Sequence, residues 1–163
     1  TEVDIILNKL HQGVRTSLRQ KETGSKDGMD ITLIKLDCKY KTIHFAGAQN
    51  PMILIQEDRG YFVRGSKMGI GGVQREKERL FEKHTFPIHA ETTIYMYSDG
   101  FQDQFGGVEN RKFLGKRFRQ LLYSIHSKPM AEQKEILQQS FKDWQGEQKQ
   151  LDDVLVFGLR IQP

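Results

Sequence analysis

Two short segments of the sequence carry the side chains best suited to chemistry. Tyr97-Ser98-Asp99-Gly100 directly follows a strand-like run, and its glycine allows a sharp turn from which the Asp99 carboxylate can project. Leu151-Asp152-Asp153-Val154 places two carboxylates immediately before another apolar run. If the two strands are neighbours, Asp99 and Asp152 converge at one end of a sheet.

Converging carboxylates without His or Cys suit hard cations such as Mg²⁺ or Mn²⁺. Two such ions about 3.5–4 Å apart can hold a phosphate and activate a bridging water. Turns explain the same residues, because Asp before Gly is a common turn pair and Asp-Asp before a strand is typical of a loop end. The spacing alone leaves a metal site and two turns as alternatives.

The composition narrows the classes of function. The chain has 163 residues with 37% hydrophobic and 28% charged residues, which fits one soluble domain over residues 1–163. The net charge is only +4, from 25 basic and 21 acidic residues, and the basic residues are scattered. We therefore expect no nucleic-acid binding.

The single cysteine, Cys38, cannot form an internal disulfide and fits a reducing compartment. No apolar run approaches the roughly 20 residues that cross a bilayer. We expect a cytoplasmic domain, although the full-length protein could be tethered to a membrane. The sequence starts without Met and inside a helical pattern, so we expect a piece of a longer protein.

Hydrophobic periodicity predicts the elements that position the acidic segments. Apolar residues recur every three or four positions from Val3 to Leu18, which predicts a helix. Two later helices are predicted at Arg111–Ile125 and Met130–Trp144. Strands are predicted at Met29–Leu36, Lys41–Ala46, Met52–Gln56, Tyr61–Arg64, Phe81–Ile88, Thr92–Ser98 and Val154–Ile161.

The order of these elements predicts an α+β fold. Consecutive strands with short turns favour antiparallel pairing, and helices segregated from the strands are typical of α+β layering. Pro87 marks Phe81–Ile88 as an edge or a strand end. Val154–Ile161 is apolar on both faces, which predicts a strand covered on both sides.

Other candidate sites are weaker. Asp27-Gly28-Met29-Asp30 is typical of a turn followed by an exposed strand residue. The glycine-rich stretch at 65–72 lacks the glycine-lysine spacing of a P-loop, and no helical pattern follows it. His84 and His89 lie near each other, but Pro87 separates them and no Cys accompanies them, which disfavours zinc.

The two acidic segments also resemble a known family. Tyr97-Ser98-Asp99-Gly100 resembles the "YTDG" segment, and Leu151–Val156 the terminal "DDiTll" strand, of the SpoIIE-like branch of the metal-dependent protein phosphatase (PPM) superfamily. Further landmarks of that family follow in the correct order: Asn8, Phe45–Pro51, Met68–Gly71, and Phe105-Gly106-Gly107 with Phe113 and Leu114. Six landmarks in order are far more specific than any one motif.

The resemblance implies an α-β-β-α sandwich of antiparallel sheets, truncated at its N-terminus. It implies hydrolysis of phosphoserine or phosphothreonine by metal-activated water in a two-metal site for Mn²⁺ or Mg²⁺. Asp99 and Asp152 match the catalytic metal ligands of this family. We also expect Gly100 to be a residue of the metal site. Asp153 is expected to orient the site without binding the metal directly.

Two departures from the family pattern matter. The bridging Asp and the "GHG" turn of the family's N-terminal strands do not occur in this sequence, so we expect an incomplete metal site and weak or no activity of these residues alone. Gln49 stands where the family often has His, at a position that ligates no metal. Uncovered sheet edges also predict self-association.

The resemblance further implies a role in bacterial signalling. Members of the family commonly act on phosphoprotein substrates such as anti-sigma-factor antagonists, linking them to sigma-factor regulation, and are often fused to upstream sensor domains. The alternative from another class is a non-catalytic phosphatase-like interaction module. The presence of both Asp99 and Asp152 favours the enzyme.

Overall fold

The computed structural model describes residues 1–163, which form two compact units. The first contains Thr1–Met52, Phe62–Ala90 and Pro163, and the second contains Ile53–Tyr61 and Glu91–Gln162. Each unit has its own sheet and its own helices. No helix is long and apolar enough to span a bilayer.

The chain has five helices and eleven strands. The helices are α1 Val3–Ser17, α2 Gln20–Thr23, α3 Gly100–Asp103, α4 Gly115–Ile125 and α5 Met130–Gln145. The longer strands are β2 Ile31–Asp37, β3 Thr42–Ala48, β4 Met52–Gln56, β5 Arg59–Val63, β7 His84–Pro87, β8 Thr92–Tyr97 and β11 Val156–Ile161. The two-residue strands are β1 Gly28–Met29, β6 Ile70–Gly71, β9 Phe105–Gly106 and β10 Arg111–Lys112.

The first unit is built on an antiparallel sheet of order β2-β3-β7. Helix α1 buries part of its predicted apolar stripe, with Val3 and Leu7 fully buried in a cluster that includes Ala46, Ile70 and Phe81. Ile6 and Leu18 of the same stripe are exposed. The pairing puts β7 at the sheet edge, which confirms the edge position predicted from Pro87.

A buried histidine connects α1 to the ribbon formed by β1 and β6. His11 is 3% exposed, and its Nδ1 atom accepts the Gly71 amide at 3.0 Å. The Arg79 guanidinium donates to the carbonyls of Gly69, Gly71 and Val73. These bonds fix the glycine-rich stretch from inside the unit, where backbone groups need partners.

The second unit carries the sheet of order β11-β8-β4-β5. Its core contains Tyr95, Tyr97, Phe101 and Phe118, with the α5 side chains Leu137, Phe141 and Trp144 packed against it. These three residues recur every three or four positions of α5, which confirms the helix predicted at Met130–Trp144. The Trp144 indole donates to the Gln104 carbonyl at 3.0 Å and lies 4.3 Å under the Arg117 guanidinium.

The hairpin between β4 and β5 turns on Glu57 and Asp58, whose φ angles are 50° and 58°. Two positive φ values match the type I′ turn that suits the twist of a two-residue hairpin. The Tyr123 hydroxyl donates to the Asp58 carbonyl, and His126 Nε2 lies 3.0 Å from Asp58 Oδ1. Helix α4 and its C-cap residue thus hold a turn that lacks glycine.

The mixed α+β architecture with antiparallel sheets is confirmed, but several predicted elements have different bounds in the structure. The strand predicted at Met29–Leu36 divides at Asp30 into β1 and β2, which pair with different partners. The helix predicted at Arg111–Ile125 begins at Gly115. Arg111–Lys112 instead pairs with Phe105–Gly106, and the preceding Leu114 has φ 74°, which a helix cannot accommodate.

The final strand is also different from the prediction. It begins at Val156 and forms an edge of its sheet, with Phe157 47% exposed and Leu155 64% exposed. Val154 and Val156 pack against the core. One face of this strand packs on the core, and the other presents apolar side chains such as Phe157 to solvent. The prediction that both faces are covered was wrong.

Candidate metal site

The two acidic segments meet at one edge of the second unit's sheet. Strands β8 and β11 are antiparallel neighbours, and Tyr97 pairs with Val156. The end of β8 therefore lies opposite the start of β11. Asp99 follows β8 by two residues and Asp153 precedes β11 by three, so both segments leave the sheet at the same edge.

The pairing continues past the strands through Ser98. Its amide donates to the Leu155 carbonyl at 3.0 Å, while its hydroxyl accepts the Leu155 amide at 3.0 Å and donates to the Asp153 carbonyl at 2.9 Å. In a regular antiparallel pair the second bond would use the backbone carbonyl. The serine side chain takes over where the strands separate.

Gly100 allows the close approach of the two segments. A Cβ atom at this position would lie 2.4 Å from the Asp153 carbonyl oxygen, inside any van der Waals contact. Asp99 itself precedes the short helix α3, and its side chain makes no capping hydrogen bond. Its carboxylate is therefore not used by the helix and is exposed.

Asp152 and Asp153 are both exposed. The Asp153 amide donates to Asp152 Oδ1 at 2.7 Å, and Gln150 Nε2 donates to the Asp152 carbonyl at 2.8 Å. The hydrogen bond from the Asp153 amide restrains Asp152 Oδ1. The other carboxylate oxygen, Oδ2, remains available to bind a ligand.

The core beneath the acidic segments is built largely of aromatic side chains. Phe101 of α3 stacks against Phe113, Phe118 and Phe141 with ring centroids 4.5–5.1 Å apart. Burial raises the pKa of Tyr97 to about 12, so this phenol stays neutral at physiological pH. The aromatic cluster fixes α3, and with it the backbone that carries Asp99.

The oxygen-only donors of Asp99 and Asp152 fit hard divalent cations in chemistry. They are few in number, since no group of three or more His, Cys, Asp or Glu side chains is positioned to hold a metal ion. The residues present thus match the type of ligand such ions prefer, but they do not by themselves form a group of three or more ligands.

Sequence reasoning did not assign a role to Ser98 or to His11. Ser98 stands inside the acidic segment, and its hydroxyl bridge depends on register, which no local pattern reveals. His11 lies four residues after Leu7 on the apolar stripe of α1, and that position is the signal that could have found its burial.

Solved structures with this fold define its class. The chain is similar to the SiaA-PP2C domain of Pseudomonas aeruginosa, with 26% identity and a TM-score of 0.86 over 98% of this chain and 61% of that one. It is also similar to the Mn-presoaked phosphatase domain of the cell fate determinant SpoIIE from Bacillus subtilis, at 17% identity and TM-score 0.63, covering 99% of this chain and 74% of that one. The architecture is that of PP2C-type phosphatase domains.

A third similar structure is RsbX in complex with magnesium, at 13% identity and TM-score 0.51, covering 96% of this chain and 70% of that one. None of the curated protein sequences matches the chain. The profile of the Stage II sporulation protein E (SpoIIE) family matches residues 1–162. The chain belongs to the SpoIIE family.

Proposed function

We propose that this chain is part of a protein serine/threonine phosphatase and supplies Asp99 and Asp152 to a Mn²⁺ or Mg²⁺ site. The observation that carries the proposal is the antiparallel register of β8 and β11, which leads both acidic segments off the same sheet edge. Membership of the SpoIIE family supports it, as does similarity to the Mn-presoaked SpoIIE phosphatase domain and to RsbX in complex with magnesium.

Four residues have separate roles in the proposed site. The carboxylates of Asp99 and Asp152 hold the cation, Gly100 permits the close approach of their segments, and Asp153 orients Asp152 through its amide. When bound, divalent ions of this type polarise a phosphoryl group and acidify a water molecule. The substrate is a phosphoserine or phosphothreonine side chain.

Two carboxylates do not satisfy two divalent ions, which take about six or more oxygen ligands each. The chain spans 61% of the length of the SiaA-PP2C chain it matches. We infer that the remaining ligands come from residues outside 1–163, and we expect residues 1–163 alone to bind metal weakly and to turn over slowly. Robust Mn²⁺-dependent turnover by this chain alone would contradict that expectation.

The proposed setting is bacterial signalling in the cytoplasm. A phosphoprotein regulator, of the kind represented by anti-sigma-factor antagonists, is the proposed substrate, and an upstream sensor domain of the full-length protein is the proposed source of control. The similarity of the chain to the SpoIIE phosphatase domain, described as a cell fate determinant, supports this setting.

The test compares Asp99→Asn with Asp103→Asn in the full-length protein. Asp103 is the last residue of α3, the helix that Asp99 precedes, and it pairs with Lys112 at 2.9 Å, so it controls for loss of a nearby charge. Because loss of an outer-shell partner costs about 10–100-fold, loss of a ligand should reduce Mn²⁺-dependent hydrolysis of a phosphoserine peptide at least about 100-fold. Asp103→Asn should retain activity.

Equal activity of the two variants would overturn the assignment of Asp99. A full-length protein that binds its phosphoprotein without any metal-dependent hydrolysis would instead support the non-catalytic interaction module.

A further inference from the structure

The hydroxyl of Ser98 is the only side chain that directly bridges the two acidic segments through hydrogen bonds at the point where β8 and β11 separate. It donates its proton to the Asp153 carbonyl and accepts the Leu155 amide. A carbonyl can only accept and an amide N–H can only donate. The position therefore needs a group that is donor and acceptor at once, which among small side chains means a hydroxyl.

Both carboxylates are one residue away from this bridge. Asp99 follows Ser98 directly, and Asp152 precedes Asp153 directly. Neither carboxylate is otherwise held from the opposite segment, because Asp99 makes no capping bond and the side chain of Asp152 bonds the neighbouring amide of its own segment. The separation of the two segments thus depends on the hydroxyl bridge, on the backbone bond from the Ser98 amide to the Leu155 carbonyl and on the close contact at Gly100.

We propose that Ser98 is a positioning residue of the metal site, setting the distance between the Asp99 and Asp152 carboxylates without touching the cation. The inference rests on the proposed function, since it assigns Ser98 a role in that same site. Groups that orient metal ligands from outside typically change metal affinity by about 10–100-fold. Loss of the Ser98 hydroxyl should act in that range.

The experiment measures Mn²⁺ binding by the full-length protein, using paramagnetic broadening of assigned amide signals during a Mn²⁺ titration. Ser98→Ala should weaken binding about 10-fold. Ser98→Thr retains the hydroxyl and should bind within about 2-fold of wild type. Ser124→Ala removes a hydroxyl that donates to the Leu121 carbonyl elsewhere in the same unit, and should leave Mn²⁺ binding unchanged.

Two further readouts separate positioning from general destabilisation. The thermal midpoints of Ser98→Ala and Ser124→Ala should be similar while their Mn²⁺ affinities differ. Amide exchange at Leu155 should accelerate in Ser98→Ala and not in Ser98→Thr, because only the alanine variant removes the acceptor of that amide.

The outcomes are distinguishable. If wild type broadens near Asp99 and Ser98→Ala binds Mn²⁺ equally well, or if Ser98→Thr loses as much affinity as Ser98→Ala, the positioning role is overturned and the metal site stands. If wild type shows no Mn²⁺-dependent broadening at Asp99 or Asp152, the proposed function and the role of Ser98 in it are both contradicted. Unchanged exchange at Leu155 in Ser98→Ala would overturn the bridge whatever the metal does.

Discussion

The Nδ1 atom of His11 accepts the Gly71 amide at 3.0 Å, so this nitrogen carries no proton in the folded chain. The proton must lie on Nε2, which is 3.1 Å from Gln74 Oε1 and can donate to it. The imidazole is neutral and buried. Burial lowers the pKa of His11, and nearby Arg79 and Arg15 act in the same direction, against the hydrogen bond to Gln74 and the charge of Glu76.

This arrangement predicts acid sensitivity of the first unit. With a folded pKa below the unfolded value of about 6.5, the unfolded state takes up the proton first as the pH falls. Stability should be complete above about pH 7 and should decline below about pH 6.5. Urea unfolding at about pH 7.5 and about pH 5 checks this, and His11→Gln should show a shallower decline. An equal decline in the variant would contradict the role of His11.

A glycine pair tests the contact between the β9–β10 ribbon and α5. A Cβ at Gly106 would lie 1.7 Å from the Trp144 carbonyl oxygen, whereas a Cβ at Gly13 meets nothing within 4 Å. Gly106→Ala should destabilise by about 3 kcal/mol or more because backbone must move. Gly13→Ala, inside α1, should stabilise by about 0.5–1 kcal/mol. Calorimetry of both variants measures the difference, and similar midpoints would refute it.

The aromatic support of the acidic edge gives a third prediction. Phe101 is 2% exposed and contacts three other rings, so Phe101→Ala should cost about 3–5 kcal/mol through lost burial and the resulting cavity. Tyr40 is 68% exposed, and Tyr40→Ala should change stability by less than about 0.5 kcal/mol. Chemical denaturation followed by circular dichroism distinguishes the two. A small effect at Phe101 would mean that α3 is held by other contacts.

The buried side-chain amide of Gln133 gives a fourth prediction. Gln133 is 2% exposed, accepts the Tyr95 hydroxyl at 2.6 Å and donates to the His126 and Lys128 carbonyls. Gln133→Leu removes the acceptor of the buried Tyr95 hydroxyl, while the two carbonyls keep the Arg160 guanidinium as a donor. The loss should cost about 1–3 kcal/mol. The comparison variant is Gln139→Leu on the exposed side of α5, where the amide bonds only Asp143. Unfolding midpoints that coincide for the two variants would rule the prediction out.

The sequence predicted the elements whose hydrophobic period is long and regular. Helix α1 and helix α5 begin and end within about a residue of their predicted bounds, because an apolar stripe over four turns is a strong signal. The strands predicted at Met52–Gln56 and Tyr61–Arg64 leave a four-residue connection at 57–60, whereas the turn is Glu57-Asp58 and β5 already begins at Arg59.

The errors arose where tertiary contacts override local pattern. Arg111 and Lys112 have good helix propensity, but their strand pairing with β9 and the left-handed Leu114 decide the local conformation. The sequence predicts that Asp99 and Asp152 converge only if β8 and β11 are neighbours. It does not predict the strand order, because that order depends on contacts between residues about 60 positions apart. The bridge at Ser98 depends on that order and could not be read from the segment alone.

Trp144 is the only tryptophan in the chain, and it lies within the second unit, under Arg117 and beside Phe113. Its emission is therefore a built-in spectroscopic probe of that unit alone. Tyrosines occur in both units, so selective excitation of the indole is needed. The tryptophan emission then follows unfolding of the second unit separately from that of the first, without any added label. The Arg117 guanidinium of α4 lies over the Trp144 ring of α5. Separation of the two helices removes this cation from the indole, so the Trp144 emission should change in intensity or wavelength at that step.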